Sequence, residues 1–163
     1  MKRWGYQVLF AALFAACAEG PTPPAALEAG AESCAWCRMS VSDPRLASQL
    51  VAPAEEPKFF DDVGCLRDFL RSTRARPEGM IAYVADHRTK AWVPAAAAVY
   101  SRCPGVATPM GSHLVAHADA ASRDQDLAAR GAQAVPGDEV FGPSGPPAAK
   151  PGAGPPAEER TRK

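Results

Sequence analysis

The sequence predicts an α+β fold in which two small ββαβ-type units form one compact domain between disordered tails. The strand-like segments are short, and two of them are followed by aspartates that can cap a helix. The order of strand, aspartate, helix and strand occurs twice, once around residues 58–62 and once around residues 113–119. The segment between the tails, residues 34–135, has about 100 residues, which is enough for one modest core.

The first unit begins with two extended segments and a helix. Residues 47–52 and 58–60 have the apolar content of strands. Asp61 and Asp62 follow directly and can cap a helix, which we predict over residues 63–74. Four residues recur at helical spacing on one face of this helix: Cys65, Leu66, Phe69 and Leu70.

The same unit ends in extended structure. Pro77 and Gly79 break the helix. Residues 80–84 then read as a strand, residues 86–90 as a turn, and residues 91–93 as a further extended segment.

The second unit repeats this order with weaker signals. Residues 99–102 are extended, and residues 113–117 alternate as a strand does. Asp119 can cap a helix at its start. We predict this helix over residues 120–130, since Gly131 follows and can end it. Residues 133–135 form the last short strand.

The first 17 residues predict export and lipidation. Lys2 and Arg3 precede an apolar run over residues 8–16 that is too short to span a bilayer as a helix. This arrangement is typical of a secretory signal peptide, here residues 1–16. Small residues directly before Cys17 resemble a bacterial lipobox, so we expect a periplasm-facing lipoprotein held at the membrane by an acylated Cys17. An ordinary cleaved signal with an unmodified cysteine is the alternative.

Two segments of biased composition flank the predicted domain. Residues 17–33 are rich in Pro, Ala and Glu, which predicts a linker close to the lipid. Residues 136–163 contain seven prolines and five glycines, which predicts a disordered tail that cannot bury enough apolar surface to order itself. The chain has 18 basic and 18 acidic residues and no basic run interleaved with aromatics, which argues against nucleic-acid binding.

Four cysteines lie in the predicted domain, and the motif Cys34-Ala-Trp-Cys-Arg-Met39 holds two of them. A structural zinc site usually has two Cys-x-x-Cys knuckles or one with paired histidines, and only one knuckle is present. A thioredoxin-like pair follows a strand, whereas a linker precedes Cys34. Outside the cytoplasm, a disulfide between Cys34 and Cys37 or between Cys65 and Cys103 is the main structural alternative. Met39 favours a different chemistry, since a thioether beside a thiolate selects Cu(I) over hard ions.

A second methionine has a similar setting. Met110 lies in the turn Thr108-Pro-Met-Gly111, where it has no obvious core to fill, although gap filling is the ordinary role of a methionine. His113, His117 and Cys65 are further candidate metal ligands. The alternative for each histidine is a surface imidazole, and the alternative for Cys65 is a place in the core.

These residues resemble the nitrous oxide reductase accessory lipoproteins, the NosL family. The most specific feature is the combination of Cys-x-x-Cys-x-Met with a later Thr-Pro-Met-Gly, and the lipobox fits as well. The resemblance covers nearly the whole predicted domain in the right order and closes with the helix after Asp119. Its segments are residues 34–39, 43–49, 59–65, 83–86, 91–94 and 108–111.

The resemblance implies a lipid-anchored Cu(I) metallochaperone built from two ββαβ-type units. It assigns Cys37 and Met39 as the first ligands, adds Met110 from the second motif, and matches Cys34 to the first cysteine of the motif. It also implies three partners. These are an apo copper enzyme, namely nitrous oxide reductase, a membrane ABC-type maturation complex, and the lipid bilayer through acylated Cys17.

Two functions are therefore open from the sequence. The first is the Cu(I) carrier, and the second is a periplasmic thiol-disulfide protein that uses Cys34 and Cys37. No nucleophile with a neighbouring base and no phosphate-binding loop is recognisable, so we expect that the protein is not an enzyme.

Overall fold

The computed structural model describes residues 20–73 and 76–149, and its first unit is built on a four-stranded antiparallel sheet. The strands lie in the order β2-β1-β3-β4. The elements are β1 (Ser48–Val51), β2 (Lys58–Phe60), helix α1 (Val63–Ser72), β3 (Ile81–Ala85) and β4 (Trp92–Pro94). The predicted ββαβ order is confirmed, with β4 at the edge of the sheet.

The second unit has a three-stranded antiparallel sheet in the order β6-β5-β7. Its elements are β5 (Val99–Arg102), β6 (Leu114–His117), helix α2 (Ala120–Gln125), a 3₁₀ turn (Leu127–Ala129) and β7 (Gln133–Val135). The prediction of one continuous helix over residues 120–130 is wrong. Asp126 interrupts it, because its backbone is extended and its side chain accepts a hydrogen bond from the Ala128 N–H to start the 3₁₀ turn.

Aspartate caps fix the start of both helices, as the sequence predicts. Asp62 Oδ1 accepts the Cys65 N–H at 2.7 Å, and Asp119 Oδ1 accepts the Ser122 N–H at 2.8 Å. Each cap satisfies one of the free N–H groups of a first helical turn.

One core joins the two units. Leu66 of α1 and Val84 of β3 belong to the same buried cluster as Tyr100 and Leu114 of the second sheet. Asp86, which follows β3, reaches the second unit as well, because its carboxylate accepts the Ala118 N–H and the Ser122 hydroxyl. The two units therefore form one domain, as expected.

The prediction of a disordered tail from residue 136 is wrong over residues 137–141, and part of the predicted linker packs on the domain. Gly137–Phe141 form helix α3, and both Val140 and Phe141 are buried. The Phe141 ring meets the Tyr100 ring edge-on, with the centroids 5.6 Å apart. In the predicted linker, the Ala25 N–H donates to a side-chain oxygen on β1, and Ala25 packs on the core. The burial of these side chains cannot be predicted from the surrounding Pro- and Gly-rich sequence, because their packing partners are distant in sequence.

Several predictions fall on residues that the structure does not describe. They are the signal peptide over residues 1–16, lipidation of Cys17 and residues 150–163 of the tail. The first helix ends at Ser72, two residues before its predicted end, and Thr73 after it is extended. Across residues 20–73 and 76–149, no helix has both the length and the apolar character that a bilayer crossing requires.

Candidate metal centre

Three thiols and a carboxylate meet at the N-terminal end of α1. The Sγ atoms of Cys34, Cys37 and Cys65 and one carboxylate oxygen of Asp61 all lie within 4.8 Å of one another. We refer to these four residues as the thiol cluster. Two members come from the loop before β1, one follows β2, and one lies in the first turn of α1. Cys37 is partly exposed and the others are buried, so the cluster is reached from solvent beside Cys37.

Backbone hydrogen bonds fold the Cys-x-x-Cys-x-Met segment into a tight loop. The Cys34 N–H donates to the Met39 carbonyl at 2.7 Å, and the Arg38 N–H donates to the Cys34 carbonyl at 3.1 Å. The Ala35 N–H donates to the Phe59 carbonyl of β2 at 2.8 Å. Arg38 has a φ of 69°, a left-handed conformation that is uncommon for residues other than glycine. The loop is thus held against the strand that leads to Asp61.

Asp61 is the polar contact inside the cluster. The Cys37 thiol donates to Asp61 Oδ2 at 3.0 Å. The other oxygen, Oδ1, is buried and makes no hydrogen bond of ordinary geometry within the described ranges. A buried carboxylate without a full set of donors is costly, and a bound cation would relieve that cost.

The thiols of Cys37 and Cys65 hold their protons in the absence of a cation. Burial and the hydrogen bond to Asp61 raise the pKa of Cys37 to about 11. Burial, followed by the nearby Asp61, raises the pKa of Cys65 further still. A metal ion that binds here must therefore displace protons, because the thiolate is the metal ligand.

Asp62 connects the cluster to the loop that carries Met110. Its Oδ1 caps α1 at Cys65, and its Oδ2 accepts the Met110 N–H at 3.3 Å. Gly64 allows the loop to lie against the helix, since a Cβ at this position would be only 2.6 Å from the Ser112 Cβ. The structure thus brings the two sequence motifs together at the start of α1.

The two methionines lie at the surface. The side chains of Met39 and Met110 are 41% and 54% exposed. The Met39 carbonyl accepts the N–H of Cys34, a member of the cluster, and the Met110 N–H donates to Asp62, which caps α1 at Cys65. Their assignment as copper ligands stays a prediction.

The structure places the candidate histidines away from the thiol cluster. Nδ1 of His113 lies 2.9 Å from the Val106 carbonyl oxygen. Nε2 of His117 lies 2.9 Å from Asp126 Oδ2, in a separate buried group with His87. The sequence offers both histidines only as additional ligands of the copper site, and the geometry gives them other partners.

The disulfide alternatives are not formed. Cys34, Cys37, Cys65 and Cys103 are all free. Cys103 lies in a small second hydrophobic cluster with Leu46, Val115 and Ala129, apart from the cluster of Cys34 and Cys65. Burial raises the pKa of the Cys103 thiol, which makes it an inert core residue.

Sequence reasoning missed three residues with candidate roles. The sequence predicts Asp61 only as a helix cap, yet Asp62 is the cap. The consecutive pair of aspartates is the signal that one carboxylate is free for another role. His87 and Asp126 carry no local motif. They become visible only when β6 and the end of β3 are side by side.

Comparison with known proteins gives one match. A family model described as NosL matches residues 24–149. No curated protein and no solved structure matches the chain.

Proposed function

The chain belongs to the NosL family, and from this premise we propose that it is a lipid-anchored metallochaperone that carries Cu(I) to an extracytoplasmic copper enzyme. Nitrous oxide reductase is the acceptor that we propose. Copper is the cargo in this role, and the protein catalyses no reaction.

The thiol cluster is the observation that carries this proposal. Three sulfur atoms from two separate parts of the fold, the loop before β1 and the first turn of α1, converge within 4.8 Å. Soft thiolates at low coordination number favour Cu(I) over the hard cations of the periplasm. The buried Asp61 adds negative charge beside them, which further favours a cation in the cluster.

The thiol-disulfide alternative fits the geometry less well. A redox-active cysteine requires a lowered pKa so that its thiolate can attack. The pKa of Cys37 is raised to about 11, first by burial and then by Asp61. Cys34 is fully buried, so a protein substrate could not reach its sulfur.

A carrier must also release its cargo, and the exposed thioethers suit that step. Met39 and Met110 lie at the surface on segments attached to the cluster. A weaker thioether ligand at the surface can accept Cu(I) from the thiols and present it to an incoming ligand of the acceptor. In this scheme Cys17 carries the lipid, and a membrane ABC-type complex is the docking partner during maturation.

The test is a Cu(I) titration of the reduced full chain in detergent, in competition with a chromogenic chelator. We expect one tight equivalent, and weaker retention when Met39 or Met110 is replaced by leucine. Insulin-disulfide reduction is measured on the same samples. If no tight equivalent forms while Cys34→Ser abolishes a reductase activity, the thiol-disulfide function replaces the carrier function.

Delivery needs a second experiment. The Cu(I)-loaded protein is mixed with apo nitrous oxide reductase, with and without the membrane complex, and copper in the acceptor is measured. Copper should move to the acceptor faster than chelator-buffered copper at the same free concentration. Equal rates would indicate storage of copper without delivery.

A further inference from the structure

A second group of potential metal ligands lies in the other half of the domain. His87 follows β3, His117 ends β6, and Asp126 lies between α2 and the 3₁₀ turn. Nδ1 of His87, Nε2 of His117 and a carboxylate oxygen of Asp126 lie within 4.8 Å of one another, and all three residues are buried. Neither the family match nor the thiol cluster accounts for this group.

The carboxylate is the centre of the group. Asp126 Oδ2 lies 2.6 Å from Nδ1 of His87 and 2.9 Å from Nε2 of His117. Asp126 Oδ1 accepts the Ala128 N–H at 2.9 Å, which fixes the orientation of the carboxylate. The His87 N–H donates to the Ala116 carbonyl at 2.9 Å, so the backbone that carries this imidazole is anchored to β6. The fold therefore holds three donor atoms close together before any ion binds.

The hydrogen bonds of His117 indicate which of its ring nitrogens carries a proton. Nδ1 of His117 is buried and has no hydrogen-bond partner within residues 20–73 and 76–149. A proton on Nδ1 would have no acceptor there, so the tautomer with its proton on Nε2, facing Asp126, is favoured. Neutral imidazole is the form that binds metals.

We propose that His87, His117 and Asp126 form a second metal site, which takes a divalent cation of borderline softness such as Zn(II). Two imidazoles and one carboxylate are a ligand set of divalent zinc and related ions, with a further position left for water. The set contains no sulfur, so it differs in metal preference from the thiol cluster.

Binding requires small local changes. Zn(II) bonds of 2.0–2.1 Å in a tetrahedral site separate the ligand atoms by about 3.3 Å, so the carboxylate must move away from both rings by several tenths of an ångström. The ring proton of His117 must also transfer from Nε2 to Nδ1. Metal-bound histidines usually donate that second N–H to an acceptor, and His117 lacks one. The site should therefore bind more weakly than the thiol cluster.

An ion can reach Asp126 from the surface. A depression of about 420 Å³ is lined by Asp126 together with Arg123, Asp124 and Arg130. Arg123 is neutralised in part by its ion pair with Asp124 at 2.8 Å. The buried carboxylate of Asp126 thus lies at the inner wall of an open depression.

The test uses the three histidines of the chain, of which His113 is an internal control. The reduced full chain is titrated with Zn(II) beyond two equivalents while the ring ¹⁵N resonances are followed by NMR. We expect Nδ1 of His87 and Nε2 of His117 to shift with the second equivalent, while His113 does not. Shifts of all three rings together, or of none, overturn the proposal.

Matched variants measure the affinity. Asp126→Asn keeps the acceptor for the Ala128 N–H and removes the charge, and Asp124→Asn removes a neighbouring exposed charge. Zn(II) binding to the second site should weaken at least about tenfold in Asp126→Asn and stay at the parent value in Asp124→Asn. Equal binding by all three proteins overturns the proposal. Should Asp126→Asn fail to fold, the ring resonances of the parent protein decide the question.

Discussion

The side chain of Asp62 links the thiol cluster to the Met110 loop by hydrogen bonds. Replacing Asp62 with alanine removes the α1 cap at the Cys65 N–H and the acceptor for the Met110 N–H. Loss of a cap costs about 1–2 kcal/mol, and an additional unpaired N–H costs about 0.5–1.5 kcal/mol. Because Asp62 is fully buried, water cannot replace it freely. We expect Asp62→Ala to lower the free energy of unfolding by about 2–3 kcal/mol.

Two matched variants separate these contributions. Asp62→Asn retains an oxygen for the Cys65 N–H but turns an amide NH₂ towards Met110, so it should lose about 1 kcal/mol. Asp119→Ala removes the corresponding cap of α2, where the aspartate is exposed and makes one such bond, and should also lose about 1 kcal/mol. Urea denaturation monitored by circular dichroism gives all three values. If Asp62→Ala is within about 0.5 kcal/mol of the parent, Asp62 does not connect the two segments as described.

Three further changes test other parts of the structure. Gly64→Ala places a Cβ 2.6 Å from the Ser112 Cβ, so it should lower the free energy of unfolding in urea by about 1–3 kcal/mol. Adding Ser112→Gly should recover most of this loss. No recovery would contradict the contact between these two residues. The pKa of Cys37 is raised from 9.0 to about 11, by burial and then by Asp61, so its contribution to the stability of the metal-free protein is present below pH 9 and should be lost as pH rises through 11. A Cys37→Ser variant should lack that loss, and an identical alkaline profile for both proteins would exclude Cys37 as its source. Burial alone would raise the pKa of Asp126, but the hydrogen bonds from His117 and His87 outweigh burial and lower the pKa from 3.8 to about 2. The contribution of Asp126 to the stability of the fold is therefore present above pH 3.8 and is lost as pH falls through 2. Asp126→Asn should flatten that acid limb in a pH series of thermal melts, while Asp124→Asn should not.

The sequence predicts the parts of the fold that local chemistry determines. Strands β2, β5 and β7 have the predicted bounds, and Asp62 and Asp119 cap the helices as expected, because cap and strand signals lie within a few residues. Helix α3 was missed because Val140 and Phe141 are isolated in a Pro- and Gly-rich segment, and only the core around Tyr100 stabilises them.

Of the candidate site, the sequence predicts the part that lies within one short motif. The motif identified Cys34 and Cys37, since both lie within one short loop. Cys65 and Asp61 join them only through the pairing of β1 with β2 and the entry into α1, which are tertiary features. His117 was selected for a copper site, and its actual neighbours, His87 and Asp126, are 30 and 9 residues away in sequence.

The role of Cys65 tests the account most directly. Cu(I) affinity is measured by chelator competition for the parent, for Cys65→Ser and for Cys103→Ser, which removes a buried thiol outside the cluster. If the thiol cluster holds the copper, Cys65→Ser should weaken binding by at least about tenfold, and Cys103→Ser should bind like the parent. Parent-like affinity in Cys65→Ser, or an equal loss in both variants, would contradict the assignment of Cu(I) to the buried thiols.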